Sequence, residues 1–503
     1  MSSFDKATNG FEEEAMTEKH EEVESNRFFT REVARGFVPK DEHEREMSRS
    51  VNLRTDFCLL PFMAALYLFN GLDRSNIGNA ETVGFTQYVG VPAEALNNAV
   101  SLMYVTFVTL QPVSAGIGKR VGPHLWMPFI MFCWGAFVIG HAWVHNYGML
   151  VAFRLCIGLF EAGYYPTACF YLSTFYTRYD LALRIGLFYG MYAISGAFGS
   201  AIAYGVFKGV HGSLFDWQYL FIIEGALTCG MALISFIVLP KGPSTAWFLN
   251  KEQREFAKYR MTIDSALSEE TNITKKDIIA TVTDVKMWFL LIFNILASVP
   301  SQAFGVFLPL VVKGLGYSGI SANLMSVPPY VLGACGLWLF TFSSDRFRER
   351  GIHILICLGI TLVGLIMVVL ITNDTGRYVS LCILTFGSYG SAPLTIAWVA
   401  GNNPMPGKRV LSLGFMGWGN LAGIIGSQLF RADYAPRYLI SFYSCLGITV
   451  FTIIGYACYR MTLHWVNVKR RNITANWSEE EIYAEQLSTE RYADGKLTFV
   501  YGL

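Results

Sequence analysis

The stretch FCLLPFMAALYLFNGLDRSNIGNA, residues 57–80, opens with sixteen residues that carry no charge and then sets an acid and a base side by side, Asp73 and Arg74. An apolar run of about 20 residues is long enough, as a helix, to cross a hydrocarbon layer roughly 30 Å thick. The charged pair therefore stands either at the rim of such a span or inside it.

Eleven further runs of the same kind follow. With the first, near 57–77, the spans fall near 95–116, 125–145, 148–172, 185–206 and 217–239. After a polar interval they resume near 286–309, 323–342, 352–371, 378–400, 410–430 and 439–459. These runs are continuous rather than alternating, which excludes a membrane β-barrel and leaves helices, whose backbone groups bond within their own segment. The fold class is an all-α polytopic membrane protein with twelve transmembrane helices in two six-helix bundles.

Composition agrees. Of 503 residues, 53% are hydrophobic and only 15% charged, with a mean hydropathy of +0.37, whereas soluble chains carry about 25% charge. The charge collects at the chain ends, in the central interval and in short connectors. The expected organisation is a tail over 1–54, a bundle over 55–240, a loop over 241–285, a second bundle over 286–463 and a tail over 464–503. The acidic start, FEEEAMTEKHEEVE (11–24), lacks the basic stub and apolar core of a signal peptide and reads as a disordered tail. A net charge of +1 offers nucleic acid no basic surface. The ten cysteines are scattered singly with no ligand spacing, so neither a metal, a cofactor nor a disulfide framework is indicated.

Positive charge orients the spans. GKRVG (118–122), TRYDLALR (177–184), DRFRERG (345–351) and PGKR (406–409) all fall at one end, although Lys313, Arg377, Arg431 and Arg437 fall at the other. The bias places both tails and the 241–285 interval in the cytosol. Glycine-rich stretches such as GMYAISGAFGSAIAYG (190–205) and MGWGNLAGIIG (416–426) let helices approach closely and suit interfaces that slide.

Four embedded charges stand out, because each costs at least a few kcal/mol at mid-membrane. They are Asp73 and Arg74 on the first span, and Arg154 and Glu161 on the fourth. Arg154 and Glu161 lie seven residues apart, on one helix face but about 10 Å apart along the axis, too far to pair directly. Asp73 and Arg74, being consecutive, diverge by about 100°. An acid and a base on each of two helices can bind an anion together with a proton; a fixed ion-pair network is the alternative. Tyr164 and Tyr165 add hydroxyls and aromatic walls, Pro166 disturbs the helix, and Asn76 and Asn79 are donors or caps. Glu224 on the sixth span reads as a structural hydrogen-bonding residue, and His141 and His145, in a short outer connector, as surface or interfacial residues.

These residues resemble a known family. The two six-helix halves resemble the major facilitator superfamily. FNGLDRSNIGNA, RLCIGLFEAGYYPTACFYLSTFY (154–176), FIIEG (221–225), AWVAGNNPMPGKR (397–409) and GNLAGIIG…YAPRY (419–438) resemble its fungal anion:cation symporter family, which includes the allantoate permease and carriers of nicotinate, pantothenate and biotin. The resemblance runs over about residues 50–465. It implies proton-coupled symport of a small organic anion by alternating access in the plasma membrane, by a monomer with no cofactor and no enzymatic activity. It assigns proton coupling to Asp73 and Glu161 and substrate binding to Arg74 and Arg154. Asn76, Tyr164, Tyr165, Gln302, Trp398, Asn402 and Asn420 are candidates to complete the substrate site, with Asn323 near the same spans. Lys119 stands where the superfamily's loop motif has Asp, before Arg120, while the second copy keeps Asp345 and Arg346 but has Thr341 for Gly. A cytosolic gate of Lys119, Arg120, Asp345 and Arg346 is thus expected to rest mainly on the second copy. Two other readings stay open: a carrier or exporter of a fungal secondary metabolite, and a nutrient sensor that binds without transporting.

Overall fold

The computed structural model describes residues 37, 39–92, 94–209, 212–265, 274–478, 481, 485 and 493–503. The disorder expected over most of the N-terminal tail lies outside them. Twelve helices are long and apolar enough to cross a membrane, and no strand occurs among the described residues. We label them α1 (Glu42–Glu81), α2 (Ala95–Val121), α3 (Pro123–Gly140), α4 (Tyr147–Ser173), α5 (Arg178–Gly209), α6 (Asp216–Val238), α7 (Val285–Lys313), α8 (Gly319–Phe347), α9 (Gly351–Leu370), α10 (Asp374–Asn402), α11 (Gly407–Leu429) and α12 (Leu439–Thr474).

Helix α1 starts well before its apolar run. The Asp41 carboxylate accepts the Glu44 N–H at 2.7 Å, an N-cap that lets the polar stretch from Glu42 join the span. Residues 42–54, expected as tail, are therefore helical. Helix α4 is irregular at Ala162 and Gly163, where Pro166 supplies no N–H to the Ala162 carbonyl, and α10 breaks at Tyr389–Gly390, four residues before Pro393. Helix α11 tightens to a 3₁₀ turn over Gly417–Leu421.

The chain divides into two compact units. The smaller comprises residues 1–59, 171–183 and 240–272 and holds the start of α1, the α4–α5 connector and a helix at Lys251–Ser265. Within it Asn52 Nδ2 donates to Asp180 (2.9 Å), Gln253 Nε2 to Ser50 (2.7 Å), Arg260 Nη2 to the Phe175 carbonyl (2.8 Å) and the Tyr176 hydroxyl to Asp56 (2.8 Å).

The larger unit holds the two bundles. Its helices meet at small residues: a Cβ on Gly158 of α4 would stand 2.4 Å from the Met103 carbonyl of α2, a separation only glycine tolerates. Residues 493–503, expected as part of a tail, return against the second bundle. Asp494 pairs with Lys286 and with Lys408 (2.7 Å), Tyr501 N–H donates to Asn467 (2.9 Å), and Arg470 donates to the Phe499 carbonyl (2.8 Å). Burial pushes the Asp494 carboxyl up, but the bonds from Lys286 and Lys408 outweigh it and hold the group below the usual carboxylate range.

Candidate functional site

Between the bundles lies a cavity of about 640 Å³, its mouth included, lined from α1, α2, α4, α5, α7, α10 and α11. The charged residues in its lining are Arg74 and Glu161, and they pair with each other through Arg74 Nε. Both are nearly sealed from solvent, with side chains 6% and 0% exposed. The Arg74 guanidinium also lies over the Phe107 ring at 4.3 Å and near Tyr192 (5.7 Å) and Tyr104 (5.8 Å), so three aromatic faces share its charge.

The wall beside this pair is aromatic. Tyr67 stacks on Phe188 at 4.5 Å and contacts Tyr165, Tyr189 and Tyr192 at 5.7–6.2 Å. The opposite wall is polar and uncharged. Asn294, Ser298 and Gln302 recur every four residues along α7 and therefore share one face. The Gln302 side chain joins both bundles: Tyr104 and Tyr192 donate to its Oε1 (3.1 and 3.5 Å), and its Nε2 donates to Asn420 on α11 (3.3 Å).

The expected site residues thus divide into groups. Arg74, Glu161, Tyr165, Gln302 and Asn420 line the cavity. Asp73, Arg154 and Asn76 do not; they meet inside the first bundle, where Asp73 Oδ2 accepts from Trp134 (3.0 Å) and Thr228 (2.8 Å) and Arg154 Nη2 donates to Asn76 (2.8 Å). Tyr164 is buried behind the aromatic wall, edge-on to Trp134. Trp398 and Asn402 are spoken for elsewhere: Trp398 Nε1 donates to the Gly502 carbonyl (2.7 Å), and Asn402 both donates to and accepts from Gly502 (3.0 and 2.8 Å). Asn323 bonds Thr82 at 2.8 Å. The four gate residues do not meet one another: Lys119 lies 6.0 Å over Phe170, Arg120 and Arg346 are exposed, and Asp345 pairs with Arg350 of its own half.

Sequence reasoning missed Tyr67, Tyr189, Tyr192, Asn294 and Ser298. The signal for the last two was a polar stripe of period four, ending at Gln302, on an otherwise apolar helix.

The two bundles bond to each other around the start of α2 and the ends of α7 and α11. There Asn97 Nδ2 donates to the Phe430 carbonyl (2.9 Å), Gln428 Nε2 to Ser101 (2.7 Å) and Lys313 to the Thr82 carbonyl (2.8 Å), and Arg431 pairs with Glu94. The glycine-rich stretches serve these contacts: a Cβ on Gly196 would lie 2.5 Å from Tyr330, and one on Gly423 would lie 2.3 Å from Tyr104. Among the described residues no cluster of His, Cys, Asp and Glu is arranged to hold a metal ion.

Two helical bundles around a polar cavity match a family model, the Major Facilitator Superfamily, over residues 63–427. The chain belongs to the Major Facilitator Superfamily. It is 34% identical to the MFS-type transporter efuF of Hormonema carpetanum, covering 84% of this chain and 87% of that protein. It is 33% identical to the high-affinity nicotinic acid transporter of Saccharomyces cerevisiae, covering 83% and 78%. Among solved structures it superposes on a D-xylose–proton symporter with a TM-score of 0.60 at 14% identity, covering 79% of this chain and 97% of that one. This superfamily member is a multi-pass membrane protein, and its named relatives are transporters.

Proposed function

We propose that this superfamily member is a proton-coupled symporter of a small organic anion, of the fungal anion:cation symporter kind. The observation that carries the reading is the Arg74–Glu161 pair, the meeting point of opposite charges in a cavity lined by both bundles. A carboxylate entering this cavity needs a cation to offset its desolvation, and Arg74 is the cation it meets. Taking Arg74 displaces Glu161, and a carboxylate so displaced in a dry site is stable only when it gains a proton. Anion and proton then occupy the cavity together, and neither resides there comfortably alone. That mutual dependence is the requirement for symport.

The same lining favours a flat substrate. Tyr67, Phe107, Tyr165, Tyr189 and Tyr192 offer ring faces beside Arg74, while Gln302, Asn294 and Asn420 offer amides opposite. A planar heteroaromatic monocarboxylate satisfies both walls, and the name of the yeast nicotinic acid relative supports placing that acid first in a screen. Basic loops at one end favour a cytosolic position for both termini; on this proposal the carrier is a monomer in the plasma membrane. The bonds among Asn97, Ser101, Gln428 and Phe430 then close the outer side, and the cycle alternates between breaking these and closing the inner side.

Uptake of labelled nicotinate, pantothenate, allantoate and short carboxylates by transport-deficient yeast expressing the chain tests the reading. Accumulation of at least one acid, enhanced by external acid and abolished by a protonophore, is expected. Accumulation indifferent to the proton gradient would sink symport; a neutral or cationic solute carried in preference would sink the anion site.

A further inference from the structure

A second polar cluster lies inside the first bundle, and none of its members lines the cavity. Its centre is Glu224 on α6. This side chain is 1% exposed and lies against the Asn76 amide without a hydrogen bond of ordinary geometry. From α1, Asp73 and the Asn76 amide face it; from α4, Arg154 does. From α3 comes Trp134, which binds Asp73, and just past the end of that helix stands His141, within reach of Arg154. Asp73 fills one oxygen with Trp134 and Thr228, the latter one turn along α6 from Glu224, but Oδ1 has no partner.

The charges do not balance. Two acids, Asp73 and Glu224, share one base, Arg154, within buried helices, while Glu161, which also faces Asp73 and Arg154, is paired with Arg74. Arg154 neutralises one carboxylate and spends its bonds on Asn76 (2.8 Å) and the Asp73 carbonyl (3.5 Å). A second bare carboxylate at this depth costs several kcal/mol. What the pair lacks is one positive charge small enough for a closed space.

We propose that Glu224 and Asp73 form an internal proton-binding site, separate from the substrate cavity and reached from the His141 side. His141 stands just past the end of α3, buried rather than in the surface or interfacial position expected for it, with Nδ1 on the Phe137 carbonyl (2.8 Å) and Nε2 without a partner. Its ring centroid lies 5.2 Å from that of Phe221, one turn before Glu224 on α6. Asn79, also buried with both amide atoms unpartnered, sits one turn along α1 from Asn76. His141 lies within electrostatic reach of Arg154, which joins that end of the bundle to Asp73 and Glu224. The site rests on the symport reading for its purpose, since a proton held beside Asp73 acts on Arg154 and, seven residues along α4, on Glu161.

The test needs neither substrate nor gradient. Infrared difference spectra of the detergent-purified full chain are recorded between acid and alkaline buffer in D₂O. A carbonyl band of a neutral carboxylic acid is expected that vanishes in Glu224→Gln, shifts in Asp73→Asn and persists in Glu161→Gln. His141→Phe should keep the band and slow its exchange with deuterium. Gel filtration and melting curves establish folding, and Glu224→Asp, which keeps the acid, should move the band without losing it. A wild-type spectrum with no Glu224-dependent band, or a band that answers to sodium and not to pH, overturns the proposal. If proton-driven accumulation fails while the Glu224 band stands, symport is wrong and the site remains.

Discussion

Glu161→Gln is the sharpest perturbation of the cavity, because the substituted amide keeps the shape and cannot carry a proton. In the wild type Arg74 is engaged by Glu161, and both are nearly inaccessible. An anionic substrate competes for the same guanidinium. A hydrogen bond to a charged group contributes about 1.5–3 kcal/mol net, so removing the competitor should tighten binding about 10- to 150-fold. Arg74 loses its counter-charge in the empty state, which on its own costs about 3–5 kcal/mol when one partner of a buried pair is removed. That cost weakens the fold but adds to substrate affinity, since a bound anion relieves it, and the Phe107, Tyr104 and Tyr192 rings offset part of it. The affinity gain should therefore hold or rise, not shrink. It should also depend on pH in one direction: in acid, where wild-type Glu161 takes a proton and stops competing, the two proteins converge, and in alkali they diverge. Equilibrium binding of the labelled acid to purified protein across pH reads this directly. In cells the same variant should lose concentrative uptake and keep exchange down a gradient. Wild-type accumulation by Glu161→Gln, or an affinity with the wild-type slope against pH, would refute the competition.

Arg74→Ala should abolish anion binding in a folded protein, and Arg74→Lys should recover little of it if the substrate is gripped by a two-pronged guanidinium; binding to purified protein distinguishes the cases. Gly78→Ala on α1 would drive a Cβ to 1.8 Å from the Val306 carbonyl of α7, prising the bundles apart where they are closed, so cysteines introduced beside Asn97 should become more reactive to maleimide. Asp494→Asn should release the C-terminal segment at a cost of about 1–3 kcal/mol, reduced from the usual buried-pair figure because Lys408 keeps Asp284 at 2.6 Å. Disulfide trapping between Asn402→Cys and Gly502→Cys reports the loss. Since the folded Asp494 carboxyl is held below its ordinary range, its contribution is present above the unfolded value and is lost only as pH falls through the lower folded one. The wild-type segment should therefore stay docked in mild acid.

Length and hydropathy alone determined the twelve spans, because a membrane leaves an apolar run of that length few other fates. Local spacing went further: seven residues between Arg154 and Glu161 forbade a direct pair, and each does find its partner on α1, Arg154 at Asn76 and Glu161 at Arg74. Consecutive positions for Asp73 and Arg74 implied that they diverge. Which of the two acids faces the cavity was beyond reach, because it depends on how α1 is rotated against its neighbours. That rotation is fixed by contacts far from the charges, such as Gly78 on Val306 and Gly71 on Ser195. The same holds for Trp398 and Asn402, polar groups on a spanning helix that looked available in sequence and are engaged by Gly502, a hundred residues along the chain. A sequence records where a side chain sits along its helix. Only the packed bundle decides which way that helix turns, and so whether a buried acid meets substrate, another side chain or a proton.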